Sequence, residues 1–252
     1  MNVVTLTLTV ILVALSGLAA AEPVPLPRPR PALQSRSEAE TPLPTACRQR
    51  LTRQLALAPS VDSPAGAPGC GIEDAVRLEA VILTDGSGVA LTPPAFVSCR
   101  FAEAFVQWVR DDVVPAVRAG DARLKSIDNF ASYDCRGRNR VSGAKLSEHG
   151  KGNALDMRSV KLQNGAVLGL TNPSVAPEFR ERIRTSACAR FGTVLGPGSD
   201  GYHEDHVHVD VAERKNGQHM CQWDLHDGKE EEMVSGGGVP LPRPRPATTL
   251  SR

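Results

Sequence analysis

The sequence predicts an α+β fold: a single compact domain with a small antiparallel sheet, set between Pro-rich tails that stay disordered. Three observations carry this. All six cysteines (Cys47, Cys70, Cys99, Cys135, Cys188 and Cys221) lie in the central part of the chain. Within that part, period-two apolar runs interleave with helix-length segments. Outside it, Pro recurs at every second position, which removes backbone donors and fixes φ.

The elements follow in order. Residues 76–83 and 89–91 read as strands joined by the turn Asp85-Gly86-Ser87-Gly88, a hairpin. Pro93-Pro94 should open a helix through Phe105, Val106 and Val109, because Pro is tolerated in a first helical turn. Residues 124–133 suit a strand, 154–157 another, and 173–190 a second main helix. Val194-Leu195 is a short strand, and residues 207–212 form a good one. The domain limits fall near residues 45 and 224.

The flanks read differently. Residues 3–18 are almost wholly apolar and lead to Ala19 and Ala21, an A-x-A pattern. Residues 1–21 are therefore expected to be a secretory signal peptide cut after Ala21, although no Lys or Arg precedes the apolar run. No later apolar run reaches the roughly 18 residues of a membrane span, so no stable membrane insertion is expected after cleavage. The expected location is periplasmic or secreted, where an even cysteine count reads as disulfides of open connectivity. Residues 22–44 form a Pro/Arg-rich linker. Residues 225–252 form an acidic and Gly-rich hinge followed by a Pro/Arg tail. The nine residues from Val24 to Ala32 recur identically from Val239 to Ala247. Both copies suit extended polyproline II: stiff solvated tails, or docking strips for an anionic cell-wall polymer or a partner groove. With 29 Lys and Arg against 28 Asp and Glu, the chain lacks the basic excess of a nucleic-acid binder.

Chemistry concentrates in two segments. His203, His206 and His208 lie within Tyr202-His-Glu-Asp-His-Val-His-Val-Asp210. On a strand, His206, His208 and Asp210 share one face while Val207, Val209 and Val211 point into the core. The second segment is Leu146-Ser-Glu-His149-Gly-Lys-Gly152-Asn-Ala-Leu-Asp156. Its glycines argue against a helix, so a tight turn should set His149 above the strand that bears Asp156. Two imidazoles and a carboxylate with an open fourth position form the catalytic zinc pattern. His219 and His226 read as ordinary polar residues.

Ser147-x-His149-x-x-Gly152-x-Ala154-x-Asp156 followed by His206-x-His208 resembles the lysostaphin/D-Ala-D-Ala metallopeptidase/hedgehog superfamily. The His203, His206, His208 spacing is similar to that of the penicillin-insensitive murein endopeptidases. The chain more closely resembles the bacterial extensin-like C-terminal domain family, through Gly69-Cys-Gly71, Ser132-Tyr-Asp-Cys-Arg136, Leu146-Ser-Glu-His149, Gly152-Asn-Ala-Leu-Asp156, the run from Phe191 to Asp200 and His206-Val-His208-Val-Asp210. The resemblance implies Zn²⁺ on His149, Asp156 and His208, and hydrolysis of amide bonds in peptidoglycan stem peptides or cross-links by a zinc-activated water. His206 would then be the general base or a histidine supporting the metal from beside it, with Glu204, Asp205 and His203 as the other candidates for the base. Arg136 is the candidate for stabilising the oxyanion; its bland reading is a surface arginine or a salt bridge. The alternative function is a non-catalytic cell-wall-binding module of the same fold, anchored by its Pro/Arg tails. A structural wall protein should carry longer Pro-rich repeats than these.

Overall fold

The computed structural model describes residues 45–225. The expected signal peptide, both Pro/Arg repeats, the hinge and His226 lie outside these residues.

One mixed sheet of nine strands organises the described chain. The strands are β1 (Ala56–Leu57), β2 (Ala75–Ile82), β3 (Gly88–Ser98), β4 (Leu124–Ala131), β5 (Ala154–Leu162), β6 (Val167–Gly169), β7 (Thr193–Leu195), β8 (Val207–Asp210) and β9 (Met220–Gln222). Their order is β1-β2-β3-β4-β5-β8-β7-β9, with β6 also paired to β5. The sheet is thus larger than the sequence suggested. It is also not wholly antiparallel, since β3–β4 and β7–β9 run parallel. The first parallel pair has a plain cause: a helical crossover separates the two strands, and parallel neighbours need such a connection. The shortest strands (β1, β6, β9) hold too few residues to show a period.

The β2–β3 hairpin forms where expected, but Pro93-Pro94 lie inside β3 instead of opening a helix. The pairing explains how β3 tolerates them. Its register with β2 covers Gly88–Ala90 and Ala95–Ser98, and its register with β4 covers Ala90–Thr92. Neither neighbour pairs with the two prolines, so no ladder bond is lost. Helix α2 (Cys99–Trp108) starts after them instead, capped by the Ser98 side chain, which accepts from the Phe101 amide. A π-type segment (Val109–Val113) continues α2 into α3 (Val114–Arg118). Pro115 supplies the reason, since it has no N–H and its ring crowds the carbonyl four residues back. Helix α4 spans Pro177–Arg190, shorter than predicted. Residues 172–175 instead form a turn in which the Asn172 side chain accepts from the Ser174 amide.

Alternation divides the centre of the sheet. Leu155 and Met157 of β5 and Val207 and Val209 of β8 join the apolar core with Phe101, Phe105, Trp108 and Phe191. Their neighbours Asp156, His208 and Asp210 are also buried, on the opposite face. Short helix α1 (Ala46–Arg50) is tied to α2 by Cys47–Cys99. Cys70–Cys135 fastens the loop that precedes His149, and Cys188–Cys221 fastens α4 to β9. Loops of this length give each bridge about 4 kcal/mol in the chain-entropy account. Among the described residues no helix is long and apolar enough to cross a membrane.

Candidate metal centre

Register brings the first two site residues together. Asp156 of β5 stands directly opposite His208 of β8 in the antiparallel ladder, so both side chains leave the sheet on one face. His149 comes from a different device. Ser147 caps a 3-10 turn (Glu148–Lys151), and Gly152 ends it at φ 68°. A Cβ at Gly152 would stand 2.8 Å from Ile72, so glycine is required for both the left-handed backbone and the close approach. The turn lowers His149 onto the strand face, where it is almost fully buried.

Three donor atoms converge there. His149 Nε2 lies 3.1 Å from Asp156 Oδ1 and 3.1 Å from His208 Nδ1, and the last two are 2.9 Å apart. A tetrahedral zinc with bonds of roughly 2.0–2.2 Å separates its ligand atoms by about 3.3 Å. The observed triangle fits that requirement with a slight expansion.

The partners behind the triangle set which nitrogen faces inward. His149 Nδ1 donates to the Ser132 carbonyl at 2.6 Å, leaving Nε2 for the site. His208 Nε2 faces Asp210 Oδ2 at 3.1 Å, leaving Nδ1. A histidine oriented by a carbonyl or carboxylate on its far nitrogen is the usual support of a metal ligand. Burial alone would raise the Asp156 carboxyl, but hydrogen bonds from His149 and His208 outweigh it and hold the group far below the carboxylate range. Asp210 is lowered in the same way, chiefly by His208. Burial would lower His208, yet its bonds to Asp156 and Asp210 push it up to about 9. Two buried carboxylates around one imidazole make a field that favours a cation at this point.

The remaining candidates sit around the triangle. His206 precedes β8 instead of lying within it, and it still faces the cluster. Its Nδ1 bonds Asp205 Oδ1 at 2.8 Å, and its Nε2 stands 3.7 Å from Asp156 Oδ2, too far for a hydrogen bond. His203 packs tilted against His206 and edge-on against His208, and it bonds Asp200 at 2.7 Å. Burial holds it below the ordinary imidazole range against the pull of Asp200. Arg136 lines the cleft, with Nε on Asp134 Oδ2 at 2.9 Å. Glu204 is placed elsewhere: it is exposed and accepts from the Gly198 amide at 3.1 Å. Tyr202 is exposed as well. His219 bonds the Cys188 carbonyl, away from the triangle.

His149 and His208 of the triangle line a cleft of about 260 Å³, with His203 and Asp210; Asp156 lies behind them. Sequence reasoning did not find Ser132, Thr193, Arg138 or Arg214. Ser132 acts through its carbonyl, for which no side-chain signal exists. Thr193 stands opposite Asp210 in the β7–β8 ladder, a pairing that only the fold reveals.

The sheet, the cleft and a buried His-Asp-His triangle define a mixed α/β protein with a candidate metal centre. Residues 45–222 match the family model described as Extensin-like protein C-terminus, and the chain belongs to that family. Neither a curated protein nor a solved structure matches the chain.

Proposed function

We propose that this chain is a zinc-dependent hydrolase that cleaves peptide (amide) bonds in peptidoglycan stem peptides or their cross-links. The observation that carries the reading is the convergence of His149 Nε2, Asp156 Oδ1 and His208 Nδ1 beside a cleft that His149 and His208 line, with His206 Nε2 3.7 Å from Asp156 Oδ2 and without a hydrogen bond among the described residues. The resemblance of these motifs to the lysostaphin/D-Ala-D-Ala metallopeptidase/hedgehog superfamily supports the choice of substrate. The three disulfides support a periplasmic or secreted location.

His149, Asp156 and His208 would hold the metal, which when bound supplies Lewis acidity toward water and the scissile carbonyl. The protein's own groups do the rest. His206 takes a proton from the attacking water at Nε2 and returns it to the leaving amine. Asp205, on the far nitrogen, keeps that ring oriented. Arg136 donates to the oxygen that gains charge, from the Nη2 that no described residue engages. Burial keeps His203 neutral, so it adds no competing charge at the site.

The test is mass spectrometry of purified peptidoglycan after incubation with the mature chain, zinc-loaded and chelator-treated. New muropeptides from the zinc-loaded sample alone are expected, and their masses name the bond. Unchanged peptidoglycan beside a folded, zinc-loaded protein would favour a wall-binding module without turnover.

A further inference from the structure

Two arginines that line the cleft, Arg138 and Arg214, have no acid as a partner among the described residues. The segment from Asp134 to Arg140 holds three arginines and one acid. Asp134 is shared by Arg136 and Arg140, which leaves Arg138 without a partner for its guanidinium among the described residues, although it lines the cleft. On the other wall Arg214 donates to the Gly192 carbonyl, Thr193 Oγ1 and Met220 Sδ. All three are neutral, so its charge is not compensated by an acid. The carboxylates of the cleft have other partners: Glu148 is paired with Lys151 and bonded by Asn153, Asp210 by His208, and Asp200 by His203 and Asn139, so none of them is held by Arg138 or Arg214.

The backbone on either side of Arg138 is fixed. Asn139 and Arg140 adopt φ of 52° and 57°, in the left-handed region that residues with a Cβ seldom occupy. Such strain persists only where surrounding structure enforces it, and it gathers at ligand sites. Here the enforcing contacts are visible. Cys135 is bridged to Cys70, and Asn139 Nδ2 bonds Asp200 Oδ2 at 3.0 Å on the loop that carries His203.

We infer that Arg138 and Arg214 form an anion subsite in the cleft that takes a free carboxylate of the substrate. The inference rests on the proposed hydrolase reading and deepens it. The substrate class is an acidic peptide with a carboxylate within reach of the bond to be cut, in place of an uncharged or amidated one. A guanidinium fork suits a planar carboxylate better than a point cation such as an ammonium would.

The test measures binding, which separates it from turnover. Calorimetry on the zinc-loaded mature chain compares three probes. They are N-acetyl-D-alanyl-D-alanine, its C-terminal carboxamide, and N-acetyl-D-glutamyl-D-alanine carboxamide, whose one carboxylate is on a side chain. At least one acid is expected to bind about tenfold or more tighter than the carboxamide, the size of a charge-assisted hydrogen bond. Which acid wins tells a chain terminus from a side chain. Arg138→Gln, an exposed change that leaves the core untouched, should remove that preference while the carboxamide binds as before. Arg138→Lys should restore only part of it. A preference that is undiminished in Arg138→Gln would overturn the subsite. So would equal binding of the three probes, or binding of none. Inert peptidoglycan with an intact, Arg138-dependent preference would remove the hydrolase reading and leave the subsite standing.

Discussion

Strands β5 and β8 hold two environments one peptide apart. On one face Leu155, Met157, Val207 and Val209 pack into the core with the aromatic rings of α2. On the other face Asp156, His208 and Asp210 are buried almost as deeply. The first set needs only volume and apolarity, and its stabilisation comes from area removed from water. The second set would be costly there without partners, because buried polar groups lose their water. Each of its members is hydrogen-bonded to another, and His149 closes the group from above. One face therefore stabilises the sheet, and the other uses that rigidity to fix the donor atoms of the candidate metal centre.

Mutations should separate the two faces. Asp156→Ala or His208→Ala should abolish zinc retention and with it turnover, read as metal content after dialysis; an active, metal-free His208→Ala protein would contradict the ligand assignment. His206→Ala should keep its zinc and lose about 10²- to 10⁴-fold in rate, the usual weight of a general base. Leu155→Ala, next to Asp156 but on the apolar face, should do the reverse. It should cost about 2–5 kcal/mol in a urea titration and leave the zinc content of the folded protein unchanged.

Smaller effects sharpen the same contrast. Asp210→Asn leaves the triangle intact but weakens the partner that orients His208, and it should lower zinc affinity about 10- to 100-fold. Far from the site, Asp74 links β2 to α1. Burial would raise its carboxyl, but hydrogen bonds from Thr45 and Arg48 and the Arg48 charge outweigh it and hold it below the carboxylate range. A lowered folded-state value gives stability that is present above the unfolded value and lost as pH falls through the folded one. Asp74→Asn should therefore cost about 1 kcal/mol at neutral pH. The deficit should begin to shrink below about pH 4 and close in stronger acid. Zinc content should not move.

The ligands differed in how far the chain revealed them. His208, Asp210 and their Val partners follow from period-two alternation alone. His149 needed the further inference that Gly150 and Gly152 make a turn, because its place depends on a loop folding over the strand. Its distance from Asp156 in sequence would suit a helix equally well. The hairpin, β4 and the strand cores were legible for the same reason as β8. Pro93-Pro94 were misread because their signal is local, whereas their place in β3 depends on gaps in the pairing of two neighbours. Arg138 and Arg214 were silent because a surface arginine and a cleft arginine look alike until the opposite wall is known.

The most direct test is a zinc-edge anomalous difference map from crystals of the zinc-loaded chain. The account predicts one strong peak bonded to His149 Nε2, Asp156 Oδ1 and His208 Nδ1, with His206 beside it and not bonded. A peak on other residues, a peak bonded to His208 Nε2, or none at this triangle would contradict it.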